Sequence, residues 1–212
     1  MFGSIGKRLN CFKPVNNNSY DRDALIKKIR EEISPYISKV TICDRPITNH
    51  CGLTQYSYDE NRESIRHRRV SVAGRFGLSL SDSPFDRRFV FLLAKEVEET
   101  YKMPGQCAEM ASIAAVKLKD IAAKTGLSVY TLQLPDYNHT ITLVSEASYM
   151  GGEWINWAKE FRSNSIIVDL WQGALSPKNP DTLVSLAKRN IYTRNNPRAL
   201  VQCKVYDGYF LR

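Results

Sequence analysis

Residues 103–120 read MPGQCAEMASIAAVKLKD, a turn followed by an Ala-rich helical pattern. The Pro104-Gly105 pair favours a turn, and Cys107 then opens a helix that we expect to end at Gly126. Helical spacing places small and apolar residues on one stripe of this helix: Cys107, Ala111, Ala114, Leu118 and Ile121. Because most of these side chains are small, we predict that the helix packs closely against a sheet. The Cys107 thiol would then lie at the tip of the packed face.

The patterns on either side of this helix predict an α+β fold. Before it, apolar spacing indicates a helix from Asp21 to about Ile37, shortened or kinked by Pro35. A second helix is expected to open at Ser83-Pro84 and to run to about Lys102. After the Cys107 helix come strand-like runs, at 127–134, 139–145, 164–171 and 199–206. We therefore expect an antiparallel sheet packed against helices.

Three shorter segments complete the predicted secondary structure. KVTIC, residues 39–43, is expected to be a short strand, and RRVSVAG, residues 68–74, also has the alternation of a strand. Asp181 is expected to cap a last helix over TLVSLAKRN, residues 182–190. Residues 1–20, rich in Asn and Ser, are expected to be a flexible leader. The remaining residues, 21–212, are predicted to form a single domain with its core at about 84–206.

Composition limits the class of protein. Hydrophobic residues make up 43% of the 212-residue chain, enough for a core, and no apolar run approaches the length that crosses a bilayer. The first twenty residues lack the apolar core of a secretory signal.

Five cysteines, an odd number, favour reduced thiols over a disulfide framework. The net charge is +8, but the densest basic segment, residues 62–75, has no interleaved aromatics. We therefore expect a solvated basic face there and no nucleic-acid partner.

Cys107 is a candidate nucleophile because of its place at the start of a helix. Free N–H groups and the helix dipole at that end lower the pKa of a thiol and can also bind an oxyanion. A nucleophilic thiol needs a base, usually a histidine held by an acceptor. His139 begins the alternating strand NHTITLV, and Asp169 follows the apolar run IIV. Each residue alone is more often structural, but together they predict a catalytic triad of Cys107, His139 and Asp169.

Three segments, taken in chain order, resemble the core motif of the transglutaminase-like and papain-like cysteine enzymes over residues 103 to about 175. They are GQCAEMA, NHTITLV and IIVDLW. The resemblance implies a core in which the nucleophilic cysteine opens a helix and the histidine and acid arrive on successive strands. Trp171 matches the tryptophan that often follows the acid, and Gln106 is the candidate oxyanion or substrate residue. The sequence departs from the family at Thr140, where an aromatic usually follows the histidine. It also has no glutamine several residues before the cysteine.

The same resemblance implies a cysteine-dependent acyl-transfer enzyme that acts on protein amide groups. The reaction stays open among transglutaminase, glutamine deamidase and protease. The chain is similar to bacterial secreted effectors of this fold, which act on host proteins. This similarity implies a host protein substrate, and secretion from the bacterial cytosol into a host cell without a classical signal peptide. The alternative is a cytoplasmic protein. No cofactor and no metal are expected.

Two alternatives come from other classes of protein. Cys43, His50 and Cys51 would supply zinc ligands, but the spacing from Cys43 to His50 fits no common ligand pattern. A non-catalytic binding module would instead use the basic face to bind an acidic protein surface or anionic lipid. The reactivity of Cys107 separates this module from an enzyme, because only the enzyme needs an ionised thiol.

Overall fold

The computed structural model describes residues 21–38, 40–42, 46–48, 54–56, 60–80, 87–99, 103–134, 139–149, 154–156, 158, 160, 164–190, 192 and 202–206. Its helices are α1 (Arg22–Ile33), α2 (Glu60–Gly74), α3 (Arg87–Glu99), α4 (Cys107–Thr125), α5 (Leu170–Leu175) and α6 (Pro180–Leu183). Its strands are β1 (Val40–Ile42), β2 (Pro46–Thr48), β3 (Thr54–Tyr56), β4 (Met103–Gly105), β5 (Ser128–Leu134), β6 (His139–Ser145), β7 (Trp154–Asn156), β8 (Ile166–Val168), β9 (Val184–Leu186) and β10 (Gln202–Tyr206).

Six of these strands form one antiparallel sheet in the order β7-β10-β5-β6-β8-β9. The predicted α+β class, with helices packed on an antiparallel sheet, is confirmed. The predicted strand at 39–43 is present as β1, but it pairs in parallel with β4, outside the main sheet. β5 and β6 are paired over their whole length, from Ser128↔Ser145 to Leu134↔His139. This long pair forms the centre on which the rest of the domain packs.

Helix α4 covers one face of the sheet. The predicted stripe Ala111, Ala114, Leu118 and Ile121 is buried, and it joins a core cluster with Val129, Val144 and Val168. The Thr142 hydroxyl donates to the Ala111 carbonyl at 2.9 Å, a contact that the small Ala111 side chain permits. Gly126 ends the helix in the left-handed region at φ 70°, as glycine does without steric strain.

The opposite face of the sheet is buried as well. Alternate residues of β5 and β6 belong to a second core cluster that includes Leu132, Leu134, Ile141 and Leu143, together with Tyr192. Because both faces of the sheet are buried here, the polar residues that alternate with the apolar ones, such as Thr131 and Thr142, are buried too.

Helix α1 packs beside α4 with the predicted side chains. Asp21 caps it by accepting hydrogen bonds from the N–H groups of Asp23 and Ala24. Leu25, Ile29 and Ile33 are buried, as their spacing predicts. The helix ends at Ile33 instead of Ile37, because Pro35 lies in a short 3-10 turn, Ser34–Tyr36.

Residues 68–74, predicted as a strand, are helical, so that prediction is wrong. They belong to α2, which buries Ile65 and Val72 two helical turns apart. The two valines of this segment suggest alternation, yet only Val72 is buried, against Phe89 and Leu93 of α3. Tertiary packing therefore overrides the local strand preference. Helix α3 agrees with the predicted second helix, whereas Ser83-Pro84 lie outside the described residues.

Two predictions near the carboxyl end are also wrong. The strand expected over 164–171 stops at Val168, because Asp169 caps α5, and Trp171 therefore lies on a helix. The helix expected over 182–190 is replaced by the single turn α6 followed by β9. Asn179, not Asp181, caps α6, and β9 then pairs with β8. Pairing along β8 favours the extended conformation for residues 184–186.

Of the helices that the structure describes, none combines the length and the apolar character that a bilayer crossing requires.

Candidate functional site

Three elements meet at one end of the central sheet. Strand β6 begins there with His139, and its antiparallel neighbour β8 ends there, one residue before Asp169. Helix α4 begins at the same end with Cys107. The structure therefore brings together the three residues predicted as a triad. By register, His139 alternates with Ile141 and Leu143, which pack on the sheet face opposite α4. The site accordingly lies at the rim of the sheet rather than on one face.

Asp169 is a buried carboxylate, 2% exposed, with three hydrogen bonds. Its Oδ1 accepts from the backbone N–H of Gln172 at 3.0 Å, which caps helix α5. Its Oδ2 is 2.8 Å from Nε2 of His139 and accepts from the Tyr192 hydroxyl at 3.0 Å. A buried carboxylate is tolerated because donors of this kind surround it.

The His139 ring is held on several sides. Nε2 faces Asp169, and the imidazole also lies close enough to the Cys107 thiol for the two groups to shift each other's pKa. The rings of Trp171 and Tyr192 lie with their centroids 5.1 Å and 5.5 Å from that of His139. With only 5% of its surface exposed, the imidazole is fixed in orientation and largely shielded from water.

The charges at the site favour an ion pair between cysteine and histidine. Burial alone lowers the pKa of the His139 imidazole. The charges of Asp169 and Cys107 outweigh burial and raise that pKa from 6.5 to about 10. Burial alone raises the pKa of the Cys107 thiol, but His139, and more weakly Arg69, lower it below its ordinary value. Both shifts favour the form of the pair in which a thiolate faces an imidazolium.

Cys107 remains accessible from outside. The residue is partly exposed, whereas His139 and Asp169 are buried behind it. It occupies the first turn of α4, where backbone N–H groups lack partners within the helix. A thiolate at this position can reach an external group and has hydrogen-bond donors beside it.

The start of α4 is tied to α2 by a buried ion pair. The Arg69 guanidinium donates from Nε and an Nη to the two carboxylate oxygens of Glu109, at 2.7 and 2.8 Å. Glu109 is fully buried and also accepts from the N–H of Gln106 at 2.9 Å. Burial alone raises the pKa of Glu109, but Arg69 lowers it below its ordinary value, so the carboxylate is ionised.

Sequence reasoning did not identify Tyr192, Arg69 or Glu109. Tyr192 carries no local signal, because its contact with Asp169 spans 23 residues. Arg69 was assigned to a solvated basic face, yet its side chain contacts the start of α4. Glu109 follows Gln106 by three residues, the spacing of a reciprocal helix cap, and that spacing could have indicated it.

No group of three His, Cys, Asp or Glu side chains able to hold a metal ion is found within the part of the chain that the structure describes. The alternative zinc ligands Cys43, His50 and Cys51 lie outside that part.

No protein-family model, curated protein or solved structure matches the chain. Its function is therefore argued from the site itself.

Proposed function

We propose that this protein is a cysteine-dependent acyl-transfer enzyme with Cys107 as nucleophile, His139 as general base and acid, and Asp169 as the orienting acid. The observation that carries the proposal is the position of His139. One ring nitrogen meets the Asp169 carboxylate at 2.8 Å, and the same imidazole lowers the pKa of a partly exposed thiol at the start of α4. A papain-like or transglutaminase-like core would place these groups in the same relation.

The chemistry follows from the ion pair. The Cys107 thiolate attacks the carbonyl carbon of an amide, and the carbonyl oxygen becomes an oxyanion beside the first N–H groups of α4. His139 gives its proton to the leaving amine as the C–N bond breaks, which leaves a thioester on Cys107. His139, now neutral, then takes a proton from the second nucleophile as that nucleophile attacks the thioester. Asp169 keeps the imidazole in one orientation throughout.

Trp171 and Gln106 complete the proposed site. Trp171 lies beside the imidazole and shields it, which strengthens the bond between His139 and Asp169. Gln106 directly precedes Cys107 and is the candidate side-chain donor to the oxyanion. The roles assigned to Trp171 and Gln106 are to support the reacting groups, and neither residue forms a bond with the substrate carbonyl carbon.

The second nucleophile defines the reaction. Water gives peptide hydrolysis or glutamine deamidation, and a lysine amine gives a crosslink. We propose a protein substrate from a host cell and the role of a secreted bacterial effector, on the resemblance described above. Incubating the chain with candidate host proteins and measuring intact masses distinguishes cleavage, conversion of an amide to an acid, and crosslinking.

Alkylation by iodoacetamide tests the proposal without a substrate. An ordinary thiol with a pKa of about 8.5 loses reactivity below that pH, whereas Cys107 should stay reactive through neutral pH. Peptide mapping separates Cys107 from the other four cysteines. His139→Ala should slow the reaction at neutral pH, because the thiolate loses its partner.

If Cys107 reacts no faster at pH 7 than the other cysteines of the same chain, with or without His139, the enzyme proposal is wrong. That outcome would favour the alternative of a binding module that uses the basic face.

A further inference from the structure

The contact between Arg69 and Glu109 has the geometry of a structural clamp. Two parallel N–H···O bonds join a planar guanidinium to a carboxylate, at 2.7 and 2.8 Å. Two long side chains from different helices, 40 residues apart in sequence, are thereby held in one orientation. Helix α2 carries other arginines, such as the exposed Arg66, but Arg69 is the one that reaches this carboxylate.

The clamp acts on the turn that carries Cys107. Glu109 accepts from the N–H of Gln106, and Arg69 also reaches Oε1 of Gln106 at 3.4 Å. Cys107 therefore stands between two residues that Arg69 holds. Without such an anchor, the first turn of a helix is the part that frays most easily, because its N–H groups lack partners.

We propose that Arg69 is a positioning residue: from α2 it fixes the first turn of α4, so that the Cys107 sulfur and the N–H groups beside it keep a constant place relative to His139. This inference rests on the proposed function, because a fixed sulfur matters only if it forms a pair with the imidazole. Attack by the thiolate depends steeply on such placement.

A purely electrostatic role for Arg69 makes a different prediction. Removing a nearby cation destabilises the Cys107 thiolate and removes a repulsion that acts on the His139 imidazolium. The pKa values of Cys107 and His139 would therefore both rise. Loss of positioning instead separates the sulfur from the imidazole, so the pKa of Cys107 rises while that of His139 falls. In Arg69→Lys, which keeps the charge, an electrostatic role would change neither pKa, whereas loss of positioning would change both in opposite directions.

Three variants of the full chain test this. Arg69→Lys keeps the charge but cannot form the two parallel bonds. Arg69→Met combined with Glu109→Gln removes both charges of the pair, so that neither is left unpaired, and it serves as the second test if Arg69→Lys fails to fold. Arg66→Gln is the matched control, since it removes an exposed charge one turn earlier on the same helix.

The readouts are the pH dependence of Cys107 alkylation and the NMR titration of His139. For Arg69→Lys and for the double variant we expect the pKa of Cys107 to rise by about one unit and that of His139 to fall by a similar amount. Arg66→Gln should leave both values within a few tenths of a unit of wild type.

A rise of both pKa values together in the Arg69 variants, or no change in either, would overturn the positioning role and leave the enzyme proposal standing. If the wild-type chain itself shows an ordinary thiol pKa at Cys107, the proposed function fails first. The two failures are therefore told apart by the wild-type measurement.

Discussion

The carboxylate of Asp169 illustrates how much a single side chain does at this site. One oxygen caps α5 through the Gln172 N–H, and the other receives both the His139 imidazole and the Tyr192 phenol. Burial, and then the charge of Asp169, raises the pKa of Tyr192 well above its ordinary value, so the phenol remains a donor. The local structure of α5 and the orientation of the histidine thus depend on the same group.

We expect Tyr192→Phe to destabilise the fold by about 1.5 kcal/mol, because a hydrogen bond to a buried charge is lost while the ring still fits. Tyr149→Phe is the matched control. Tyr149 is equally buried, but its hydroxyl has no hydrogen-bond partner among the described residues. Removing that hydroxyl should be neutral or stabilising. Urea unfolding measures both changes, and equal losses of stability in the two variants would contradict the role assigned to the phenol.

At this scale, sequence reasoning could find Cys107, His139 and Asp169, because each follows or begins a recognisable element. The structure places all three at one end of the sheet, with His139 and Asp169 in contact, and their catalytic roles stay a prediction. Tyr192 and Arg69 could not be found in this way. Their roles depend on which distant segments pack together, and no spacing rule connects Arg69 to Glu109 or Tyr192 to Asp169.

Among the elements, the short helix α5 sets the position of Asp169. It is packed tightly against α6: a Cβ on Gly173 would lie 2.7 Å from Cδ1 and 2.9 Å from Cβ of Leu183. The carbonyl of Leu183 in turn accepts the backbone N–H of Asp169 at 2.9 Å. Close approach at Gly173 therefore fixes the strand end from which the carboxylate projects.

Gly173→Ala should destabilise the protein by about 1–3 kcal/mol, since the added methyl group overfills this contact. Gly74→Ala is the control, because a Cβ at Gly74 meets nothing within 4 Å. It should be neutral or slightly stabilising. Thermal unfolding of the two variants provides the comparison. If Gly173→Ala is as well tolerated as Gly74→Ala, the two helices are not tightly packed at this point.

Sequence reasoning predicted best the elements in which a regular spacing of apolar residues extends over many positions. Helix α4 and strand β6 begin at the predicted residues, Cys107 and His139. The errors fall on short elements that a neighbour determines. Residues 184–186 are extended because β8 pairs with them, and α2 is helical because α3 covers Val72.

For the whole molecule, the ion pair at the sheet rim links stability to pH. The raised pKa of His139 contributes stability that is complete below 6.5 and is lost as pH rises through about 10. The lowered pKa of Cys107 contributes stability that is complete above 9.0 and is lost as pH falls through the lowered value. Above both 6.5 and the lowered pKa of Cys107, and up to 9.0, the proton gained by His139 on folding equals the one released by Cys107.

We therefore expect the stability contributed by this pair to be level over that range, and to fall as pH rises from 9.0 to about 10. The measurement is the difference in unfolding free energy between wild type and the Cys107→Ala/His139→Gln double variant across pH. Titrating groups far from the pair cancel in this difference. A slope of one proton just below pH 9.0 would mean that only one partner is charged in the folded protein.

The order of the site residues along the chain has a consequence for synthesis. Arg69 and Cys107 leave the ribosome first, and His139, Asp169 and Tyr192 follow later. Until β6 and β8 have joined the sheet, the nascent chain holds a cysteine without the imidazole that ionises it. A chain cut short before residue 139 would lack the largest favourable influence on the pKa of the Cys107 thiol. If the proposed function holds, the thiol becomes fully reactive only after the last part of the site has folded.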